Sequence, residues 1–127
     1  MLAVDTNVLV RLLARDDAAQ IHAAEAFISK GAWVSHLVLA ETIWVLGSVY
    51  DLSRAQITTA IDMLLNHREL SLQDADVVTA ALGHYRRRSA VDFSDCLVLE
   101  IASRAGHLPI ATFDRNFAKL DDVKRLG

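Results

Sequence analysis

Short apolar runs at residues 2–4, 32–35, 69–72 and 108–112 are separated by segments whose apolar residues recur with helical spacing. Strands that alternate with helices constrain a chain to an α/β architecture built around a parallel sheet. The first run ends abruptly in Asp5-Thr6-Asn7, and Val8, Leu9, Leu12 and Leu13 resume as a helix over residues 7–14. Asp17 and Gln20 have the spacing of a capping box for a helix carrying Ile21, Ala24, Phe27 and Ile28. A long helix is predicted over residues 37–50. Ser53 and Gln56 form a second capping box, for a helix ending near His67. Asp74 is expected to cap a helix reaching Arg88, and Asp92 one over residues 93–104 that Gly106 closes. The fourth run stops at Asp114. A short helix at residues 116–119 and a last strand at 123–126 complete the pattern.

Length and composition exclude several classes. At 127 residues, 53% of them apolar, the chain fits one domain over residues 1–127 with a real core, and disorder is excluded. The net charge of −3 supplies no global field for nucleic acid, so such binding needs a local patch or a metal. Cys96 is the single cysteine, which rules out an internal disulfide and suits a reducing cytoplasm. No apolar run reaches the ~20 residues of a membrane span. The first residues lack a basic leader and are interrupted by Asp5, unlike a signal peptide.

Four carboxylates stand in positions that ordinary surface acids avoid. Asp5 and Asp114 each end an apolar strand, where open parallel sheets place their ligands. Helix capping is the competing role for both. Glu41 has Leu37, Val38, Trp44 and Val45 as its helical neighbours, which places it on a core-facing stripe. Pairing with His36 would be its structural alternative. Asp62, among Thr58, Thr59, Leu65 and Asn66, is a solvated acid by the same test, and Glu100 forms a surface pair with Arg104. Asp92 and Asp95 both suit the first turn of their helix, but one acid suffices as a cap. Assigning the cap to Asp92 leaves Asp95 for chemistry. Converging carboxylates repel unless a cation lies among them. Oxygen ligands without a Cys or His cluster favour Mg²⁺ or Mn²⁺ over Zn²⁺. Such a site suits phosphodiester hydrolysis.

Val4-Asp5-Thr6-Asn7, the mid-chain Glu41, Asp92-Phe93-Ser94-Asp95 and Thr112-Phe113-Asp114 together resemble the PIN-domain nuclease pattern. Length and element order are similar to those of the VapC toxins of VapBC toxin–antitoxin pairs. The resemblance spans essentially the whole chain. It implies a PIN-like three-layer α/β/α domain around a short, mainly parallel sheet, and Mg²⁺-dependent endoribonuclease activity. It also implies a small antitoxin that blocks the site. By matching, Asp5, Glu41, Asp95 and Asp114 become the acidic quartet that binds metal and performs catalysis. Thr6, Asn7, Asp92 and Thr112 become supporting residues.

No Gly-rich phosphate loop or Ser-His-Asp arrangement is legible, and the five histidines lack metal-ligand spacing. Cys96 reads as packing. Arg86-Arg87-Arg88 suits either a helix C-terminus or an RNA backbone contact. Trp33, Trp44, Tyr50 and Tyr85 read as core and interface residues. Apolar residues in the second and the fourth-to-fifth predicted helices exceed what a monomer of this size buries, so a homodimer is expected, as the resemblance also implies. Two other functions fit the acids. One is a metal-dependent DNA nuclease or phosphatase. The other is a non-catalytic interaction module whose acids hold a structural cation.

Overall fold

The computed structural model describes residues 1–127. The chain is an α/β protein, rich in helix and with short parallel strands, arranged as two compact units, Met1–Ala75 and Asp76–Gly127.

The first unit contains β1 (Leu2–Ala3), α1 (Thr6–Ala14), α2 (Ala18–Ile28), β2 (Ala32–Val34), α3 (His36–Ser48), α4 (Arg54–Asn66) and β3 (Leu70–Leu72). The strands form a parallel sheet in the order β1-β2-β3, with Ala3 beside Trp33 and Val34 beside Leu72. Side chains alternate across a strand. Ala32, Val34, Leu70 and Leu72 are therefore buried, while Trp33 and Ser71 face outward. Leu9 of α1, Leu39 and Leu46 of α3, and Ile61 and Leu64 of α4 are fully enclosed.

Local signals set the helix starts. Ser53 accepts from Gln56 N while the Gln56 side chain accepts from Ser53 N, so both halves of that capping box form. Asp17 accepts from Gln20 N at 3.1 Å, but the reciprocal bond is absent because the Gln20 side chain accepts from Arg11 instead. α1 ends where Arg15 turns left-handed at φ 53° and donates its N–H to the Arg11 carbonyl.

The second unit is composed of α5 (Ala75–Arg87, whose first residue belongs to the first unit), α6 (Phe93–Ala105), β4 (Ile110–Thr112), a 3₁₀ turn at Phe117–Lys119, and β5 (Val123–Arg125). Strand β4 pairs with β5 in parallel, with Ile110 beside Val123 and Thr112 beside Arg125. Val78, Leu82, Tyr85, Phe93, Leu97 and Phe117 are buried. The rings of Tyr85 and Phe93 meet edge to face at 5.9 Å and 88°. Gly106, at φ 82°, takes the left-handed conformation that stops α6 and returns its N–H to the last carbonyls.

The expected elements are all present, and the sheet is short and parallel as expected, its strands pairing as a group of three and a group of two. Strand β4 begins at Ile110 because Pro109 has no N–H to give to a ladder. Asp74 has φ 39°, unlike the extended backbone of Asp5, Asp17, Ser35 and Ser53 at the other helix starts.

Candidate active site

In the first unit, each parallel strand delivers a polar residue at its carboxyl end. After β1, Val4 is buried and Asp5 occupies the N-cap of α1. Asp5 Oδ1 accepts from Val8 N at 3.3 Å, and Oδ2 has no protein donor. Asp5 is thus the cap that the competing interpretation required, with one oxygen still available. Thr6 and Asn7 open α1 directly behind it. After β2, Ser35 Oγ accepts from Val38 N at 3.1 Å and starts α3. After β3, Gln73 Oε1 accepts from His36 N at 2.9 Å, tying the two strand ends together. Sequence reasoning missed this link, because nothing local relates positions 37 residues apart.

Glu41 lies on α3, but it does not face the core. The buried stripe of α3 is Leu39, Thr42, Ile43 and Leu46. Leu37 and Trp44, two of the neighbours that suggested burial, are 76% and 67% exposed, and Glu41 is exposed with them. Helix α3 is apolar nearly all round, so apolar neighbours did not identify its inner face. Glu41 makes no pair with His36, whose Nε2 is buried without a partner. A solvated carboxylate without a protein donor is free to reach a ligand.

In the second unit, the structure brings three acids within electrostatic reach. Asp92 holds the N-cap position of α6, and Asp95 lies in the first turn. Contrary to expectation, the Asp92 carboxylate makes no capping hydrogen bond. The Asp95 carboxylate accepts no hydrogen bond either. Burial holds the Asp95 carboxyl above its ordinary range, and the negative charges of Asp92 and Asp114 push it further in the same direction. Asp114 follows β4 as Asp5 follows β1. Its Oδ1 accepts from Asn116 N at 2.8 Å and Phe117 N at 3.3 Å, while its own N–H donates to Thr112 Oγ1 at 3.0 Å. Thr112 therefore fixes the loop that carries Asp114, and Asp114 Oδ2 is left without a protein donor.

Two carboxylates whose charges disfavour the charge of a third, Asp95, with Asp92 and Asp95 lacking any donor, are what a hard cation relieves. The donor set fits a divalent ion by its chemistry: oxygen only, with no thiolate or imidazole. As the side chains stand, no three His, Cys, Asp or Glu residues are close enough together to ligate one ion. Asp5 and Glu41 belong to one unit and Asp92, Asp95 and Asp114 to the other.

Two features of the second unit were not legible in the sequence. Glu100, expected on the surface, has a side chain only 14% exposed; it pairs with His84 at 2.7 Å and more loosely with Arg104 at 3.9 Å. Arg104 in turn binds Asp76. A cleft of about 310 Å³ adjoins this network, lined by Arg87, Arg88, Ser103, Leu108 and Asp122 among others. It opens at the amino ends of β4 and β5, whereas Asp114 follows the carboxyl end of β4.

Neither the curated proteins nor the solved structures compared with the chain gave a match. The family model for the PIN domain matches residues 2–123, nearly the full length. PIN domains are in general nucleases that use divalent metal ions. On that match, with strand-end acids and a crowded acidic helix start in the expected order, the chain belongs to the PIN domain family.

Proposed function

We propose that the protein is a Mg²⁺-dependent endoribonuclease and the toxin of a type II toxin–antitoxin pair. The observation that carries the nuclease reading is the PIN-domain match over residues 2–123, with Asp92, Asp95 and Asp114 gathered at one helix start and the strand end near it. Asp5 and Glu41 in the first unit, and Asp95 and Asp114 in the second, are the acids that would serve the metal, directly or through water. When bound, the divalent ion supplies a more acidic water and neutralises charge that develops on the phosphate.

The chain's own residues do the positioning. Capping contacts fix one oxygen each of Asp5 and Asp114 and leave the other without a protein donor. Thr112 holds the Asp114 loop in place. Thr6 and Asn7 stand beside Asp5 as polar support. One carboxylate of the quartet orients the water for in-line attack on the phosphodiester, and Asp92 adds negative potential without donating or accepting a capping bond.

The toxin reading rests on element order and exposed apolar surface. Leu37 and Trp44 on α3 and Met63 on α4 are exposed, which supports a homodimer and a small antitoxin laid across the acidic residues. An arginine from that antitoxin would pair with the carboxylates in place of the cation. No helix is long and apolar enough to cross a membrane.

The test is a substrate panel: single-stranded RNA, single-stranded and duplex DNA, and a phosphomonoester, each with Mg²⁺. Cleavage confined to RNA is the expected result. Faster cleavage of DNA or release of phosphate from the monoester would replace the ribonuclease reading with one of the two related hydrolases. Tight Mg²⁺ retention with no turnover of any substrate would leave a binding module. Growth arrest that a co-expressed antitoxin from the neighbouring reading frame fails to relieve would remove the toxin assignment.

A further inference from the structure

Phe113 stands between two residues of the acidic motif, Thr112 and Asp114, and is 78% exposed. An isolated exposed phenyl is unremarkable. This one is held by an unusually well-fixed backbone. The Thr112 carbonyl accepts from Leu126 N at 2.8 Å, and the Thr112 hydroxyl accepts from Asp114 N at 3.0 Å. Asp114 is anchored in turn by two N–H groups of the following turn. The chain on both sides of the ring is therefore fixed, and the ring itself is left in solvent.

The cations around it are also unspent. Arg125 is the register partner of Thr112, one residue before Phe113 and about 5 Å away across the ladder. Arg115 follows Asp114. Both are exposed, and neither guanidinium pairs with a protein acceptor. This contrasts with Arg104 and Arg11, which are engaged by acids. An exposed aromatic ring on a segment that also carries unpaired guanidinium groups is the combination that holds unpaired nucleotides. The ring takes the face of a base, and the cations take the phosphates. A base inside a duplex has both faces covered and offers no such surface.

We propose that Phe113, with Arg115 two residues on and Arg125 on the paired strand, is a stacking platform that receives an unpaired base of the nucleic-acid substrate next to Asp114. This inference rests on the nuclease reading above. It makes the substrate single-stranded at the cut and makes Phe113 a positioning residue. The acids alone repel a phosphate backbone, so a subsite built from stacking and two cations also supplies affinity that the acidic residues lack.

The experiment uses the full chain with Phe113→Ala and Phe113→Trp. A labelled twelve-nucleotide single-stranded RNA is titrated in chelator and followed by fluorescence anisotropy. Cleavage of the same RNA in Mg²⁺ is resolved into kcat and KM. Phe113→Ala should weaken binding and raise KM roughly tenfold, the usual scale for losing one base–aromatic stack. Its kcat should stay within about twofold, and Phe113→Trp should keep wild-type values, since stacking tolerates either ring. The duplex form of the RNA should show no difference between variants. Wild-type affinity and KM in Phe113→Ala would overturn the proposal while leaving the nuclease reading intact. Weaker RNA binding by Phe113→Ala, in a wild-type protein that cleaves nothing, would keep the platform and remove the nuclease reading. A dimer-to-monomer shift in Phe113→Ala with unchanged RNA binding would assign the ring to a contact between copies and end the proposal.

Discussion

Replacing Asp95 with asparagine should stabilise the metal-free protein, which is unusual for a change in the first turn of a helix. Two effects oppose each other there. A charged acid near a helix N-terminus gains about 0.3–1 kcal/mol from the dipole. Against this, Asp95 is partly desolvated and faces Asp92 and Asp114. Two like charges about 6 Å apart repel by roughly 3 kcal/mol at an effective dielectric of ~20, and by about 0.7 kcal/mol in water. Asp95 is far from fully buried, so solvent screening keeps the sum near the lower figure, on the order of 1 kcal/mol net. Burial, with the charges of Asp92 and Asp114, holds the Asp95 carboxyl above its ordinary range and so disfavours its charged form in the folded protein. The sign with pH follows. An acid whose folded pKa is raised binds more protons folded than unfolded, so stability falls as pH rises from its ordinary 3.8 through the raised value. The advantage of Asp95→Asn is therefore fully present at neutral pH and disappears on acidification below about 3.8. For a chain of this length, ~1 kcal/mol corresponds to about 3–5 °C in Tm. Thermal melts in chelator at pH 7 and at low pH measure this directly. Added Mg²⁺ should stabilise the wild type by about 2.7 kcal/mol at a hundred times its Kd, and the variant by less. A variant that melts lower at pH 7 in chelator and responds equally to Mg²⁺ would show that Asp95 serves the helix instead of a cation.

Other perturbations test other parts of the account. Phe93→Ala removes a ring that is fully buried and packed edge to face on Tyr85; it should cost about 3–5 kcal/mol in chemical denaturation. Ser53→Ala removes the hydroxyl that accepts from Gln56 N, one of the two bonds of the capping box on α4, and should cost about 1 kcal/mol by the same measurement. Glu100→Gln weakens the contact with His84 and Arg104 and should cost about 1 kcal/mol in chemical denaturation; unchanged stability would mean the 2.7 Å contact does not hold the two helices together in solution.

Much of the fold was legible because its signals are local. The Ser53 and Gln56 box formed as its spacing predicted, since both partners lie within one turn. Strand runs were visible through composition, and Gly106 through its place after an apolar helix. What failed depended on partners distant in sequence. Glu41 was assigned to a buried stripe because its neighbours are apolar, but which face of α3 turns inward is decided by the elements packed on it. The reciprocal half of the Asp17 and Gln20 box was lost to Arg11, nine residues from Gln20. His84 and Glu100 are 16 residues apart on different helices, and no periodicity relates them. Strand presence was readable, but strand order was not, and the division into three and two strands followed from pairing alone. The strand-end and helix-start acids are intermediate. Their positions were readable, whereas the absence of a capping bond at Asp92 and the crowding at Asp95 appear only in three dimensions.

The central proposal is that Asp95, beside Asp92 and Asp114, serves a divalent ion in cutting RNA. Cleavage of a single-stranded RNA pool by the wild type and by Asp95→Asn, in Mg²⁺ and in EDTA, tests it most directly. The wild type should cleave in Mg²⁺ and stop in EDTA, and Asp95→Asn should be slower by about a hundredfold or more, the usual cost of removing one group that stabilises developing charge. Full activity in EDTA, or an Asp95→Asn protein as fast as the wild type, would contradict it.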